Sequence, residues 1–357
     1  MDNIEPIYKE LAAKITKEKN KTLPKVLKKA VNLDQAEILN ALPDTIEGVA
    51  NKLSLDEETV RREMQILFEK GVAMRGRKRW NLVNHIILVK DLMASAGAKH
   101  IDDELLEMLH TMSLEGTVDL EKRVKNGEKV PPVVEVMRVW PKWRTVKDIP
   151  GLLPIEDVRE ILKQPPIVVH NCPCRMVYKD RPCKDDVPVN VCIAVGPNGK
   201  AFLDRGAGKE ITYDEAIAFL DDLDEFPVVH TTGNSDVMST ILCSCCSDCC
   251  GLFVRAASTK PVLGKVPYAK SRFVVVDNPE ECTDCGLCLD NRCPVNAISM
   301  KEIPGLDGER SYTNVEECIG CGLCVLSCPT DARTMKLVRP PEHIPSPASV
   351  FDRSDKD

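Results

Sequence analysis

Apolar residues recur at helical spacing between residues 36 and 70, the most regular part of the first third of the chain. Their spacing predicts a helix, a second helix, a turn at Leu53 to Leu55 and a longer third helix, followed by two short strands around a glycine-containing turn. The apolar positions of the second and third helices suit a small three-helix core: Val49, Leu53, Val60, Met64 and Leu67. Residues 86 to 114 are also predicted to be helical and to complete this lobe.

This order of elements is typical of a winged helix, a module that binds DNA in some proteins and docks on protein in others. Basic side chains would lie on the third helix and on the wing: Arg61, Arg62, Arg75, Arg77, Lys78 and Arg79. Residues 51 to 80 carry 8 basic and 5 acidic side chains, so the excess is only +3, and Asp56, Glu57 and Glu58 open the helix that would enter a DNA groove. DNA-binding modules usually carry a stronger basic footprint. We therefore expect this module to bind protein or to dimerise rather than to bind DNA.

The middle of the chain has the pattern of an ordinary globular domain. The stretch ITYDEAIAFLDDLDEF predicts an amphipathic helix, with Thr212 as its N-cap and Glu215 completing a capping box. The stretch PVVHTTGN then predicts a strand. His170 and His230 fall at the ends of predicted strands, where each could bind metal, donate a proton or be a polar residue satisfied at a sheet edge.

Cysteine is the unusual part of the composition, with 17 in 357 residues, all of them between Cys172 and Cys328. The opening stretch MDNIEPIYKELAAKITKEKN lacks the apolar core of a signal peptide, and no apolar run reaches the roughly 18 residues that cross a bilayer. We therefore expect a cytoplasmic protein without a membrane span, in a compartment that keeps thiols reduced. That compartment and the odd count both disfavour a disulfide framework, so the cysteines are predicted to bind metal.

Eight of these cysteines form two copies of one motif, at residues 281–300 and 317–335. In each copy three cysteines stand at C-x-x-C-x-x-C spacing and a fourth precedes a proline. Such a loop wraps one face of an iron–sulfur cube, and its fourth cysteine projects toward the other cube. We therefore expect crossed ligation, with one cluster on Cys282, Cys285, Cys288 and Cys328 and the other on Cys318, Cys321, Cys324 and Cys293. The duplication and the Cys-Pro endings disfavour structural zinc.

These residues resemble the bacterial-type two-cluster [4Fe-4S] ferredoxins over about residues 273 to 338, with one extra residue between Cys288 and Cys293. The resemblance implies a pseudo-twofold pair of short hairpins and helices, two [4Fe-4S] clusters and single-electron transfer at low potential. The segment between the repeats predicts a strand, a turn at Asp307–Gly308 and a second strand. Residues 275 to 335 hold 11 acidic and 4 basic side chains, so a redox partner that docks there is expected to be basic.

The other nine cysteines lie in two groups: Cys172, Cys174, Cys183 and Cys192, and then Cys243, Cys245, Cys246, Cys249 and Cys250. We expect both groups to belong to one domain and to meet in space. Among them the C-x-x-C spacing of a zinc knuckle occurs at Cys246–Cys249 and at Cys243–Cys246, which share Cys246, so a zinc ribbon with two separate knuckles fits poorly. At least one further [4Fe-4S] cluster is predicted here, and the number of thiols is also compatible with two. Arg175 could hydrogen-bond cluster sulfide, bind an anion or form a surface salt bridge.

The whole chain resembles a group of poorly characterised multi-cluster ferredoxin-like iron–sulfur proteins of anaerobes, with an N-terminal winged helix and C-x-C-R and C-x-C-C segments before a C-terminal ferredoxin. That resemblance carries little functional information, but the two ferredoxin-type repeats favour a low-potential electron-transfer protein, or the electron-transfer subunit of an anaerobic oxidoreductase. Two alternatives stay open: a redox-sensing transcription regulator that binds DNA through the winged helix, and a reductase that acts on a substrate at the central cysteines.

The predicted fold is α+β and multidomain. In chain order its parts are an N-terminal helical segment at 1–34, the winged helix at 35–98, a helical connector and linker at 99–150, a cysteine-rich iron–sulfur domain at 151–272, the ferredoxin domain at 273–338 and a C-terminal tail at 339–357.

Overall fold

The structure of the protein is a computed structural model that describes residues 4–17, 20–130, 132–178, 183–290 and 292–347, without the side chains of residues 98 and 116–121. The chain divides into two units. The first consists of Met1–Val130, His170–Pro182 and Ala201–Lys209, and the second of Pro131–Val169, Cys183–Lys200 and Glu210–Asp357. The six ranges that the sequence suggests stay a prediction.

Helices dominate the first part of the chain. In order, the elements are α1 (Pro6–Ile15), α2 (Leu23–Ala30), α3 (Leu33–Asn40), α4 (Ile46–Leu53), α5 (Glu57–Glu69), β1 (Ala73–Arg75), β2 (Trp80–Leu82), α6 (Ile86–Ala94), a 3₁₀ turn at Ala98–His100 and α7 (Asp103–Lys125).

Side-chain caps define where these helices begin. Asn32 and Gln35 form a capping box at the start of α3. At the start of α5 the carboxylate of Asp56 accepts the N–H of Thr59 at 2.8 Å. The acidic start of α5 therefore contains a helix cap, and its negative charges suit the positive end of the helix dipole.

One hydrophobic core joins α4 to α5. Val49, Val60, Met64 and Leu67 are buried in it, and Leu53 packs against it half-buried. The helical spacing therefore selects residues that are indeed in the core, but this core is larger than the predicted three-helix one, since it also includes residues of α1, α2, α6 and α7.

The two strands that follow α5 pair antiparallel, with Arg75 opposite Trp80. The guanidinium of Arg75 lies 5.1 Å from the ring centres of both Phe68 and Trp80, and it pairs with Asp204 at 3.4 Å. Arg75 is thus engaged by ring faces and by a carboxylate of its own unit.

Downstream of α7 the chain alternates between strands and helices. In order, the elements are β3 (Met137–Trp140), α8 (Val158–Ile161), β4 (Ile167–His170), α9 (Pro173–Val177), β5 (Cys192–Val195), α10 (Gly196–Asp204), β6 (Gly208–Ile211), α11 (Tyr213–Asp222), β7 (Val229–Gly233), β8 (Ile241–Cys245), α12 (Gly251–Leu263), β9 (Tyr268–Ala269), β10 (Phe273–Asp277), β11 (Ile298–Glu302), β12 (Glu309–Thr313), α13 (Leu323–Leu326) and β13 (Arg333–Leu337).

A seven-stranded sheet has the strand order β6–β4–β5–β8–β7–β3–β9. The pairs β5–β8, β8–β7 and β7–β3 are antiparallel, and β3–β9 is parallel. The predicted strand at PVVHTTGN is β7, which lies inside the sheet. The predicted capping box is confirmed at α11, where the Thr212 hydroxyl accepts the Glu215 N–H at 3.3 Å. Helix and sheet are therefore mixed, as the α+β class requires.

Two antiparallel ladders frame the cysteine repeats. β10 pairs with β13 and β11 with β12, each along five residues. The second ladder is the predicted strand–turn–strand, and Gly308 in its turn has a φ of +76°, where glycine is free of Cβ strain.

Among the described residues, no helix combines the length and the apolar character that crossing a membrane would take.

A buried ion pair lies beside β10 in the second unit. Arg272 donates to the carboxylate of Glu156 at 2.7 Å, and neither side chain is more than 3% exposed. The same guanidinium donates to the carbonyl groups of Gly151 and Arg339 at 3.2 and 3.0 Å. Arg272 therefore joins three segments of the second unit.

Replacing this arginine tests how much the pair stabilises the fold. Arg272→Met should destabilise the protein by about 3–5 kcal/mol, because it leaves the Glu156 carboxyl buried without its partner. Lys163→Met is the control, since it breaks an exposed pair with Glu160 at 2.6 Å and should cost less than about 1 kcal/mol. Equilibrium urea unfolding under anaerobic conditions, followed by circular dichroism, measures both. Equal effects of the two changes would contradict the assignment.

Candidate metal centres

Four thiols line one pocket of the C-terminal region: those of Cys282, Cys285, Cys288 and Cys328. The pocket contains ≈ 320 Å³ of space outside the protein atoms, part of it open to solvent. Three of the thiols come from the loop between β10 and β11, and the fourth comes from the turn after α13. The structure thus places the four thiols of the first predicted set around one pocket, and four cysteine sulfurs are the donor set that a [4Fe-4S] cluster takes.

Backbone N–H groups point at the sulfur of Cys282. It accepts the N–H of Ser311 at 3.5 Å and also that of Asp284. Burial raises the pKa of Cys282, but these donors outweigh it, so that its pKa lies below the usual value. The loop therefore favours the thiolate, which is the form of cysteine that binds metal.

The thiols of the second repeat are more deeply buried. Cys318, Cys321 and Cys324 are all buried, and burial raises the pKa of Cys324 to about 12 and raises that of Cys321 as well. The charge of Cys293 adds to both shifts, and the Cys293 sulfur accepts the N–H of Ala297 at 3.1 Å. Cys293 thus lies within electrostatic reach of the second repeat, as the crossed set predicts. A metal cluster fits this donor set, because it neutralises thiolates that are otherwise unfavourable together.

Arg333 is a buried cation that contacts both thiol sets. Its guanidinium lies 3.8 Å from the sulfur of Cys288 and also hydrogen-bonds Cys324. Burial lowers the pKa of Arg333, but the negative charges of Cys324, Asp277 and Cys288 outweigh it, so that the pKa is raised. Sequence reasoning missed Arg333. The sequence indicates it only by a difference between the repeats, since the second repeat has an arginine where the first has Ile298.

The two cysteine loops also use left-handed backbone. Gly286 and Gly320 have φ of +71° and +70°. A Cβ at Gly286 would meet nothing within 4 Å, whereas at Gly320 it would lie 2.0 Å from the carbonyl oxygen of Phe273. The second loop therefore packs directly on the backbone at the start of β10, and the first does not.

A compact group in the central region consists of Cys183, Cys246, Cys249 and Asp248, whose ligand atoms all lie within 4.8 Å of one another. One oxygen of Asp248 accepts the N–H of Lys184 at 2.9 Å, and the other lies 3.6 Å from the Cys183 sulfur. Burial raises the pKa of Cys183, and the charges of Cys246 and Asp248 add to that shift. Members of both predicted cysteine groups therefore meet at one point.

Other central cysteines of the second unit occupy the strands and the helix start nearby in sequence. Cys245 at the end of β8 and Cys250 before α12 have sulfurs 3.1 Å apart. Cys192 begins β5, and Cys243 lies in β8.

Cys172 and Cys174 belong to the first unit, at the start of α9. The ammonium of Lys90 lies 3.2 Å from the Cys174 sulfur and 2.6 Å from the carboxylate of Asp91. Burial lowers the pKa of Lys90, but the charges of Asp91 and Cys174 outweigh it and hold the pKa well above its usual value. A buried ammonium at this distance favours the Cys174 thiolate. Sequence reasoning missed Lys90, which is one lysine in the apolar stretch HIILVKDLM.

The two other candidates of the first unit, His170 and Arg175, are buried. His170 stacks on Phe202 with ring centres 3.9 Å apart, and burial lowers its pKa to about 4. Arg175 lies within α9 and is 5% exposed, so it is an interior residue rather than a surface one.

His230 takes part in a buried polar chain of the second unit. The Lys142 ammonium lies 3.2 Å from His230 Nε2 and 3.0 Å from the carboxylate of Asp224. His230 Nδ1 lies 3.4 Å from the Ser244 hydroxyl, and the backbone N–H of Lys142 donates to the carbonyl of Cys321 at 2.9 Å. Burial lowers the pKa of both His230 and Lys142. Since β7 is an interior strand, His230 is not a polar residue at a sheet edge.

The same region brings the second repeat next to central cysteines. Cys321, Cys245 and Cys250 belong to one hydrophobic core, together with Val139 and Phe253. One continuous buried core therefore connects Cys321 of the second thiol set with the sulfurs of Cys245 and Cys250.

A family model described as a 4Fe-4S dicluster domain matches residues 281–332, which hold both cysteine repeats. No curated protein matches the chain. The C-terminal region is thus a ferredoxin-like iron–sulfur region, and its presence supports 4Fe-4S binding and a role of the electron-transfer type.

The contrast between the two glycines leads to a prediction. Gly286→Ala should cost about 1–2 kcal/mol, the price of a left-handed backbone for a residue with a Cβ, and should leave the iron content unchanged. Gly320→Ala has the same backbone strain plus the clash with Phe273, so it should displace the second cysteine loop and remove about four irons. Iron and acid-labile sulfide counts on anaerobically purified protein measure this. If both variants keep the full iron content, the close packing of the second loop is not needed for its cluster.

Proposed function

We propose that the protein transfers single electrons at low potential, as a ferredoxin-like carrier or as the electron-transfer subunit of an oxidoreductase. When bound, a [4Fe-4S] cluster supplies one-electron chemistry at a potential that depends on hydrogen bonds to its sulfurs, on charge and on solvent exposure. The role of the protein is to hold the ligand sulfurs, to direct N–H groups at them and to control the charge and the water around them.

Two crossed sets of cysteines would hold the clusters of the C-terminal region: Cys282, Cys285, Cys288 and Cys328 in the first set, and Cys318, Cys321, Cys324 and Cys293 in the second. Arg333 contacts one thiol of each set, so its charge would stabilise the extra electron on either side. Cys285 is exposed, whereas three thiols of the second set are buried. We infer that the first set faces the redox partner and the second set faces the interior.

The observation that carries this proposal is the common core of Cys321, Cys245 and Cys250. A ferredoxin module that works alone does not require further cysteines in the core behind its second cluster. A protein that passes electrons on to further clusters does require them. The ammonium of Lys142 would favour negative charge at the second set, because it is fixed by Asp224 and His230 and its own backbone bonds Cys321. We propose that electrons pass between the first set and the central region by this route.

We further propose at least one [4Fe-4S] cluster on central cysteines outside the compact group of Cys183. In the second unit the candidate ligands are Cys192, Cys243, Cys245 and Cys250, and in the first unit Cys172 and Cys174 are candidates by themselves. Cys245 and Cys250 lie in the same buried core as Cys321 of the second set, which supports ligation there. The ammonium of Lys90 beside Cys174 supports a thiolate in the first unit.

The partner is proposed to be a basic protein. Of the 11 acidic side chains in residues 275–335, nine are exposed, and they surround the first thiol set in the sequence. Their field would attract a basic surface and would weaken with added salt.

We propose that residues 35–98 are a winged helix that docks on protein. Arg61 pairs with Glu57 at 3.8 Å and Arg62 with Glu63 at 3.3 Å, so the basic residues of α5 are accompanied by carboxylates. Such a surface would meet DNA phosphates with little net positive charge. This observation weighs against the redox-sensing transcription regulator.

Double variants test the crossed sets by iron count alone. Cys285→Ala with Cys328→Ala should remove about four irons, because both cysteines serve one cluster, whereas Cys321→Ala with Cys328→Ala should remove about eight. Uncrossed ligation predicts the opposite order and would refute the assignment. Iron and acid-labile sulfide analysis of anaerobically purified protein distinguishes the two patterns.

Lys142→Met tests the route through the interior. It should lower the reduction midpoint of one cluster by some tens of millivolts, because losing a buried positive charge costs the reduced state on the order of 1 kcal/mol at an effective dielectric of about 20. Arg144→Met is the matched control, since Arg144 pairs with the same Asp224 at 3.3 Å but is 48% exposed. Its midpoints should stay close to those of the unchanged protein in an anaerobic redox titration followed by electron paramagnetic resonance. Equal shifts in both variants would argue against a specific role of Lys142.

A further inference from the structure

We infer that Cys183, Cys246, Cys249 and Asp248 form a site for a single zinc ion, separate from every iron–sulfur cluster. The inference goes beyond the proposed electron transfer, since it concerns a different metal held by different residues. It assigns three of the nine central cysteines to a mononuclear site and leaves six for cluster ligation.

The spacing of the donor atoms indicates one ion rather than a cube. A tetrahedral zinc with Zn–S bonds of about 2.3 Å places its thiolates roughly 3.8 Å apart. The three sulfurs and the carboxylate here all lie within 4.8 Å of one another. The thiolates of a cubane stand on different irons and are therefore further apart.

The molecule contains its own comparison for this spacing. All eight cysteines of the ferredoxin-like region lie in the described part of the chain. Within that part, the group around Cys183 alone brings three or more metal-binding side chains this close together. The cysteines that match the cluster-binding family model are thus spaced more widely than those of the proposed zinc site.

The loop that carries Cys183 is already shaped as a metal-binding turn. The N–H of Asp186 donates to the Cys183 carbonyl at 2.9 Å, and Asp186 has a φ of +51°. The N–H groups of Asp185 and Val187 hydrogen-bond the Cys183 sulfur. In the same way, the Cys282 sulfur accepts the N–H of Asp284, which also has a positive φ. Such bonds orient a sulfur ligand and stabilise its negative charge.

The carboxylate is oriented as well. One oxygen of Asp248 is held by the N–H of Lys184 at 2.9 Å, which leaves the other toward the sulfurs, 3.6 Å from that of Cys183. Three thiolates and one carboxylate carry four negative charges, so a divalent cation would relieve their repulsion. Soft sulfur donors with one oxygen suit zinc better than magnesium or calcium. The ion would join two segments 65 residues apart in the chain.

Metal analysis of the full chain tests this site. The protein is produced with iron and zinc in the medium, purified anaerobically, and its zinc and iron are counted by mass spectrometry. We expect about one zinc per chain in the unchanged protein and in the control Asp186→Asn, which changes an exposed carboxylate of the same loop outside the donor group, and a loss of at least fivefold in Cys183→Ala with the C-terminal iron retained. Zinc K-edge absorption should show three sulfurs at about 2.3 Å and one oxygen at about 2.0 Å.

Asp248→Asn keeps the local fold testable, because its amide oxygen can still accept the Lys184 N–H. A direct ligand should matter at least as much as an outer-shell partner, whose loss costs about 10–100-fold, so zinc binding should weaken tenfold or more in competition with a chromophoric chelator. Absence of zinc from the unchanged protein, zinc that persists in both variants, or a loss of about four irons in Cys183→Ala would each overturn the site. None of these results bears on the C-terminal clusters, which the double variants of their own cysteines test separately.

Discussion

A thiolate in the interior of a protein is stable only where hydrogen-bond donors, a cation or a metal face it, and this requirement shapes the whole second unit. Cys321 and Cys324 are buried far from bulk water, and burial alone drives both toward the neutral thiol. N–H groups that point at sulfur, as at Cys282, and the buried guanidinium of Arg333 stabilise the thiolates instead. The β-ladders on either side position these donors, so the strands both form the core and place hydrogen-bond donors beside the sulfurs.

The two repeats are copies in sequence but not in surroundings. The first loop is open at Gly286, and Cys285 is exposed. The second loop packs on the Phe273 carbonyl at Gly320 and adjoins the core that contains Cys245. Burial and hydrogen bonding control the potential of iron–sulfur centres, so this asymmetry supports the proposed direction, with the open side toward a partner and the buried side toward the central region.

Charge is divided between the surface and the interior in the same way. Exposed carboxylates dominate the outside of the C-terminal region, whereas Arg333, Lys142 and Arg272 are cations in the interior of the second unit. A buried cation has a large effect because little water screens it, whereas the exposed acids act at longer range and are sensitive to salt. The interior cations can therefore set local chemistry while the surface selects the partner.

Local patterns determined a large part of this protein. The spacing of the eight C-terminal cysteines predicts which sulfurs come together, because a short loop restricts where each can reach, and the first crossed set indeed lines one pocket. The capping box at Thr212 and the core of α4 and α5 also follow from neighbours in sequence.

Tertiary structure alone decided how the central cysteines divide. Cys183 meets Asp248 across 65 residues, and that meeting depends on the order of strands in the sheet. Arg333 and Lys142 gain their positions in the same way, because a buried cation beside a thiol is a long-range contact that no local periodicity encodes.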